Sequence, residues 1–269
     1  MMKTTGNTHV STQPQELDED TRLMRELVEL RGRHIDSAVD SAHAYDNLHG
    51  VGYLRHRESF YKWVLRLLRP QVGRRLLDVS CGQGMLVACA VQEGLRVVGL
   101  DLSSSALRMA VPRAPSALIT LADAERIPFP DDGFDYVTNI GSLEHYFHPH
   151  WSVREMARVL RADGVALVHL PNTFGLLGNI PYVWRKGDVF DDGQPLQRYG
   201  THNQWRRLLE SNGLRVVRTV KFERAGPRTW KDLFWFLMRP HKLARVLIAP
   251  LVPLNLSNFF VYVCEKAVS

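Results

Sequence analysis

Asp78, Gly82, Gly84 and Asp101 in LLDVSCGQGMLVACAVQEGLRVVGLDLS, residues 76–103, have the spacing of a ligand-holding turn between two strands. Gly82 and Gly84 lack a Cβ, so the backbone there can bend sharply and approach a ligand closely. A helix beginning near Met85 would present free amides able to receive a carboxylate or phosphate. The same small residues would also permit tight packing of strand on helix. Asp101 ends the second strand 19 positions after Gly82, and its carboxylate offers two acceptors to a pair of hydroxyls. Its alternative role is to cap the helix at 104–110, which Ser103 can also do. A second cluster, SLEHYFHPH, brings Glu144, His145, Tyr146 and His148 together as acid or base candidates.

These residues need a sheet to position them. Apolar runs bounded by turns predict strands over 75–79, 96–100, 117–121, 134–139 and 165–170, mostly separated by helical segments. Such alternation implies a parallel sheet with right-handed crossovers. A helix over 204–212 ending at Gly213, a strand over 214–221 and a last strand over 258–265 follow. Leu23, Leu27 and Leu30 predict a helix over 17–35, and a second helix is expected over 53–68, stopped by Pro70. The expected organisation is a disordered tail over 1–16, a helical cap over 17–72 and one catalytic domain over 73–269.

A glycine turn followed by an acid can serve a nicotinamide dinucleotide, a flavin or S-adenosylmethionine. The turn lacks a full GxGxxG fingerprint, which disfavours a nicotinamide-dependent oxidoreductase. In LITLADAERIPFPDDGFDYVTNIGSLEHYFHP, Asp123 and Ala124 directly follow the third strand. A carboxylate there can accept from the exocyclic amine of adenine, and the adjacent amide can donate to a ring nitrogen.

With these motifs the chain resembles the class I S-adenosylmethionine-dependent methyltransferases, in particular the type 11 subgroup that includes ubiquinone and menaquinone biosynthesis enzymes. The resemblance covers about residues 45–266 and is densest over 76–171. It implies an α/β, Rossmann-like, seven-stranded, mostly parallel sheet with helices on both faces and an antiparallel last strand, matching LSNFFVYVCEK. It implies that Asp78, Ser80, Gly82 and Gly84 hold the methionine end, Asp101 and Leu102 the ribose, and Asp123 and Ala124 the adenine. Asn139 and Ile140, at the end of FDYVTNI, become further cofactor contacts, and EMARVLRADGVALVHLPN resembles the family's next helix and strand. By the same resemblance His145 becomes the best-placed general base, with a structural histidine as the alternative reading; Glu144 is a second catalytic candidate or equally a helix-start or loop partner. Tyr45, Tyr53, Tyr146, Tyr199 and His202 become substrate contacts; Tyr45 and Tyr53, with Arg55 and His56 in the same lid region, could instead contact the cofactor or simply pack a helix face, and Thr201 caps the helix that follows His202's segment. Ser80 departs from the glycine common in the family; its Cβ is expected to demand an ordinary φ, and its hydroxyl can hydrogen-bond the cofactor.

Composition bounds the partners. At 269 residues, 45% hydrophobic and 23% charged, the chain fits one globular domain. Cys81, Cys89 and Cys264 have neither disulfide nor metal-ligand spacing, which fits a reducing cytoplasm. His148 and His150 read as a solvated loop, and no metal is expected. No signal-peptide pattern or membrane-spanning run is recognised, so a cytoplasmic protein, free or peripheral to a membrane, is expected. The net charge of +6 is local: seven Lys or Arg face two acids over 221–250, interleaved with LFWFLM and VLIAPLVPL. This apolar basic insert, 226–256, suggests short amphipathic helices at a membrane interface, with a covering role or a subunit contact as the alternatives. The expected acceptor is small, apolar or lipid-linked, and methylated on oxygen or carbon. An RNA methyltransferase or RNA-binding protein is the rival class; without a recognition module, no nucleic-acid partner is expected.

Overall fold

In the computed structural model, the described residues are 18–32, 35, 37, 39–40, 43–46, 58–223 and 230–267. The expected tail over 1–16, together with Tyr53, Arg55 and His56, lies outside them.

The N-terminal region is less helical than its leucine stripe suggests. Helix α1 (Glu19–Glu26), capped by the Asp18 carboxylate, stops at Leu27, and β1 (Val28–Arg31) follows in its place. The helical expectation for 17–35 fails because VELR pairs antiparallel, Val28 opposite Tyr199, with a strand nearly 170 residues away. Helix α2 (Glu58–Leu68) then buries Phe60, Val64, Leu65 and Leu68 on one face.

The doubly wound core follows as β2 (Arg75–Val79), α3 (Met85–Gln92), β3 (Arg96–Asp101), α4 (Ser104–Arg113), β4 (Leu118–Leu121) and β5 (Phe134–Ile140). It continues through α5 (Pro149–Val159), β6 (Leu160–Pro171), α6 (Asn179–Lys186), β7 (Leu196–Tyr199), α7 (His202–Glu210) and β8 (Leu214–Phe222). After α8 (Trp230–Leu237) and α9 (Pro240–Ile248), two short 3-10 turns lead into β9 (Phe259–Lys266). The seven-stranded sheet has the order β4-β3-β2-β5-β6-β9-β8, with β9 antiparallel to both neighbours. β1 and β7 form a separate two-stranded ribbon.

Four of the five β2 residues are buried in succession, as expected of a parallel strand covered on both faces. One apolar cluster, with Phe134, Met156, Trp205 and Tyr262, fills one side of the sheet, and another, with Phe60, Leu65, Leu86 and Val261, fills the other. Local chemistry sets the helix starts. Ser103 caps α4, and Thr201 caps α7 in a full capping box with Gln204.

Gly84 has φ +74°, and a Cβ there would lie 2.9 Å from the Cβ of Ala110 on α4. It therefore allows α3 to pack against α4. Replacing Gly84 by Ala is expected to destabilise the protein by about 1–3 kcal/mol, from left-handed backbone strain and overpacking together, read as a lowered urea midpoint.

Candidate active site

In an open parallel sheet, ligands bind beyond the carboxyl ends of the strands where strand order reverses. Here β2 lies between β3 and β5, and the chain winds outward from it in both directions. A cavity of about 1070 Å³ lies over that point. Across the sheet its lining passes from Asp123 and Ala124 after β4, to Asp101 and Leu102 at the end of β3, to Ser80 and Gly82 after β2. It continues over the loop after β5 and ends against an aromatic wall made by Phe60, His169, Phe222 and Phe259.

The polar end is preorganised. Asp101 accepts from the amides of Gly82 (2.7 Å, Oδ2) and Ser103 (2.8 Å, Oδ1), so its carboxylate is held still beside the cavity. Asp123 is oriented by the amide of Glu125 at 2.8 Å. Asp78 accepts from the Thr138 hydroxyl at 2.7 Å. Burial, reinforced by the nearby Asp101 charge, pushes the Asp78 carboxyl up to about 7, while the Thr138 hydrogen bond opposes the shift.

The acid and base candidates are carried by the 3-10 turn after β5. Nδ1 of His145 lies 2.6 Å from the carbonyl of Leu196 on β7. A carbonyl only accepts, so Nδ1 carries a proton and Nε2 keeps its lone pair when the ring is neutral. Burial lowers the ring to about 4 against the opposing effect of that hydrogen bond, which keeps it neutral at physiological pH. Glu144 Oε1 lies 3.7 Å from Nε2, and burial raises this carboxyl to about 8. The loop is held from outside by Arg198 of β7. Its guanidinium is buried, pairs with Glu29 of β1 at 2.8 Å and donates to the Tyr146 and Phe147 carbonyls.

Most of the sequence candidates converge on this cavity. Asp78, Ser80, Gly82, Asp101, Leu102, Asp123, Ala124, Ile140, Glu144, His145, Tyr45, Tyr146 and Tyr199 all line it. Three lie elsewhere. Gly84 supports helix packing, as described above. Asn139 is fully buried beneath the cavity, where its side chain bonds the Val79 carbonyl, the Leu143 amide and the Tyr146 hydroxyl. His202 packs on the far side of β9, stacked on Tyr262, with Nε2 2.9 Å from the Thr219 hydroxyl. Its position at the start of α7 turns it away from the cavity.

Ser80 corrects another expectation: it has φ +60°, the left-handed conformation that glycine adopts freely. Tyr45 is joined by Asp46, whose carboxylate accepts from Ser103 (2.5 Å) and Ser105 (3.0 Å), fastening the N-terminal segment beside β3. His148 pairs with Glu125 at 2.9 Å and stacks on Trp151. Among the described residues, no group of three His, Cys, Asp or Glu side chains is arranged to hold a metal.

His169 and its aromatic neighbours were missed. The visible signal was a lone histidine in VALVHLPN, near the carboxyl end of a buried strand. His169 stacks on Phe259 at 4.9 Å and meets Phe60 and Phe222 edge-on. Phe60, Phe222 and Phe259 come from α2, β8 and β9, so only folding joins them.

Comparison with known proteins places this geometry in a family. A family profile described as "Methyltransferase domain" matches residues 77–168. The demethylmenaquinone methyltransferase of Geobacillus stearothermophilus is 30% identical over 163 residues, 56% of this chain and 69% of that protein. A probable S-adenosylmethionine-dependent methyltransferase of Mycolicibacterium smegmatis is 32% identical over 120 residues, 45% of this chain and 46% of that protein. The chain thus spans under half the length of the mycobacterial relatives it matches. The fold is shared with an S-adenosylmethionine-dependent methyltransferase structure from Mesorhizobium loti, at TM-score 0.56 and 19% identity over 77% of this chain and 98% of that one. The chain belongs to the S-adenosylmethionine-dependent methyltransferase family. Its residues suit that family's cofactor: Asp101 and Asp123 present oriented carboxylates, and the adjoining Ser80–Gly82 turn has room for a polar tail.

The buried Glu144 makes a pH prediction. Its neutral form favours the fold, a contribution present below the unfolded value of 4.5 and lost as pH rises through about 8. Relative to wild type, Glu144→Gln should therefore gain roughly 2–4 kcal/mol of stability between pH 4.5 and 8 and then level off. Urea unfolding of both proteins at pH 5 and pH 9 reads this directly.

Proposed function

We propose that this protein is an S-adenosylmethionine-dependent methyltransferase acting on oxygen or carbon of a small, apolar acceptor, with a lipid-linked, quinone-like ring as the favoured class. The observation that carries the reading is one continuous cavity in which oriented acids, a buried Glu144–His145 pair and an aromatic wall follow one another. Bound in it, S-adenosylmethionine supplies a sulfonium methyl already activated for in-line displacement.

Asp123 and Ala124 would hold the adenine, Asp101 the ribose hydroxyls, and the turn after β2 the methionine end. The residues near the acceptor do the remaining work. Phe60, Phe222 and Phe259 exclude water and align a flat apolar body. His145, neutral through burial and fixed in one tautomer by Leu196, takes the acceptor proton at Nε2. Glu144, neutral at physiological pH, leaves that nitrogen uncompensated by a fixed negative charge. The similarity to the demethylmenaquinone methyltransferase of Geobacillus stearothermophilus supports a quinone-like acceptor.

The surface around the cavity supports delivery from a membrane. Trp230 is 85% exposed and Leu251 81%, with Phe234, Leu237, Met238 and Leu247 also exposed on α8, α9 and the turn that follows. Arg239, Lys242 and Arg245 stand among them, a combination suited to an anionic lipid interface. Phe236 and Arg245 of these helices also line the cavity, so the apolar surface adjoins the acceptor end. Lys221 has a different role: its ammonium donates to the carbonyls of Ala249, Pro250 and Val252 and fastens the insert to β8. Among the described residues, no helix is long and apolar enough to cross a membrane.

Isothermal titration calorimetry should give micromolar binding of S-adenosylmethionine, weakened about tenfold or more in Asp101→Ala, and no binding of NADH. Binding of NADH alone would overturn the reading. With an active acceptor in hand, His145→Ala should lower kcat by about 10²–10⁴-fold while leaving the cofactor dissociation constant within a few fold. Full-length protein should co-sediment with anionic phosphatidylglycerol vesicles, and the double change Phe234→Glu, Leu247→Glu should abolish this. Wild type that stays in the supernatant excludes membrane delivery.

A further inference from the structure

The left-handed Ser80 is the one place where this chain puts a side chain into the ligand turn at a conformational cost. Strained residues of this kind persist where their surroundings over-determine them. The surroundings here are a directed chain of hydrogen bonds. The Asn139 side chain is fixed because its Oδ1 accepts from the Leu143 amide at 3.0 Å and its Nδ2 faces the Val79 carbonyl at 3.3 Å. The amide cannot be reversed without placing acceptor against acceptor and donor against donor.

Nδ2 also donates to the Tyr146 hydroxyl at 2.6 Å. That hydroxyl lies 2.6 Å from Ser80 Oγ. Having accepted from Asn139, the tyrosine can donate its proton to Ser80 Oγ, leaving the serine's own proton for an acceptor in the cavity that Ser80 lines. A tyrosine is suited to the post because burial pushes its hydroxyl far from ionisation.

We infer that Ser80 is a ligand-binding donor aimed at the carboxylate of the cofactor's amino-acid end, with Tyr146 and Asn139 as positioning residues that set the direction of its proton. This assigns Tyr146 to the cofactor side of the cavity rather than to the acceptor. It also joins the cofactor turn to the loop bearing Glu144 and His145, because Tyr146 belongs to that loop. The inference rests on the proposed cofactor, and its test separates the two.

The test compares two ligands that share adenosine and sulfur. S-adenosylhomocysteine carries the amino-acid carboxylate; 5′-methylthioadenosine lacks it. Calorimetry on wild type, Ser80→Gly, Tyr146→Phe and the double variant should show about tenfold weaker S-adenosylhomocysteine binding in Ser80→Gly. Methylthioadenosine affinity should change by less than about twofold. Tyr146→Phe should give a smaller loss with the same ligand selectivity, and the double variant should match Ser80→Gly alone, because the tyrosine acts only through the serine. Glycine is at ease at φ +60°, so the melting temperature of Ser80→Gly should equal or exceed that of wild type, which guards against a folding defect. Equal losses for both ligands, no loss for S-adenosylhomocysteine, or additive effects of the two changes would overturn the inference. Wild type that binds only methylthioadenosine also overturns it while leaving an adenosine site intact. Wild type that binds neither overturns the cofactor reading itself.

Discussion

The site depends first on one carboxylate. Asp101 takes an amide hydrogen bond from Gly82 in the turn after β2 and another from Ser103 at the start of α4. It therefore ties the ends of two neighbouring parallel strands together at the point where the cavity floor is formed. An ionised acid accepting from backbone amides makes stronger hydrogen bonds than neutral groups do, so the turn and the acid hold each other in place. Ser103, which caps α4, also donates its hydroxyl to Asp46, bringing the N-terminal segment and Tyr45 to the same edge. The proposed adenosine contacts and part of the cap thus share one anchor.

The opposite side of the cavity is organised by burial rather than by charge. Glu144 and His145 are both removed from solvent, and the cost of an uncompensated charge there drives each to its neutral form. Their orientation is set by the small β1–β7 ribbon outside the main sheet. Leu196 fixes the His145 tautomer, and Arg198 holds the backbone of the following residues while pairing with Glu29. A ribbon peripheral to the core thereby determines which imidazole nitrogen keeps its lone pair.

The apolar end combines enclosure with exposure. Phe60, Phe222, Phe259 and His169 pack against one another to form a wall, whereas α6, α8 and α9 leave many apolar side chains in solvent. Trp184, 85% exposed on α6, extends this apolar surface beyond the insert. Clustering of such residues on the helices that line the cavity is the surface that the proposed apolar acceptor calls for.

The sequence by itself determined the order and type of the core elements. Strands at 75–79, 96–101 and 134–140 declare themselves because each is a short apolar run closed by turn residues. The Thr201 cap is equally legible because a capping box needs only four consecutive residues. Asp101, Asp123 and the glycine turn are readable for a related reason: chain order in a parallel sheet already places strand ends at the ligand crevice. Tertiary structure decided what depends on distant partners. β1 lost its helical prospect to pairing with β7, and His145 acquired its tautomer from a carbonyl 51 residues away. His202 and Asn139 carry the right chemistry, yet packing turns one toward Tyr262 and seals the other beneath the floor. Ser80 sits in the left-handed region with its hydroxyl against that of Tyr146, an arrangement invisible to residue-by-residue preference. Local patterns encode the backbone of the core elements, whereas long-range strand pairing and the direction of a buried polar side chain follow from whichever partners the completed fold brings against them.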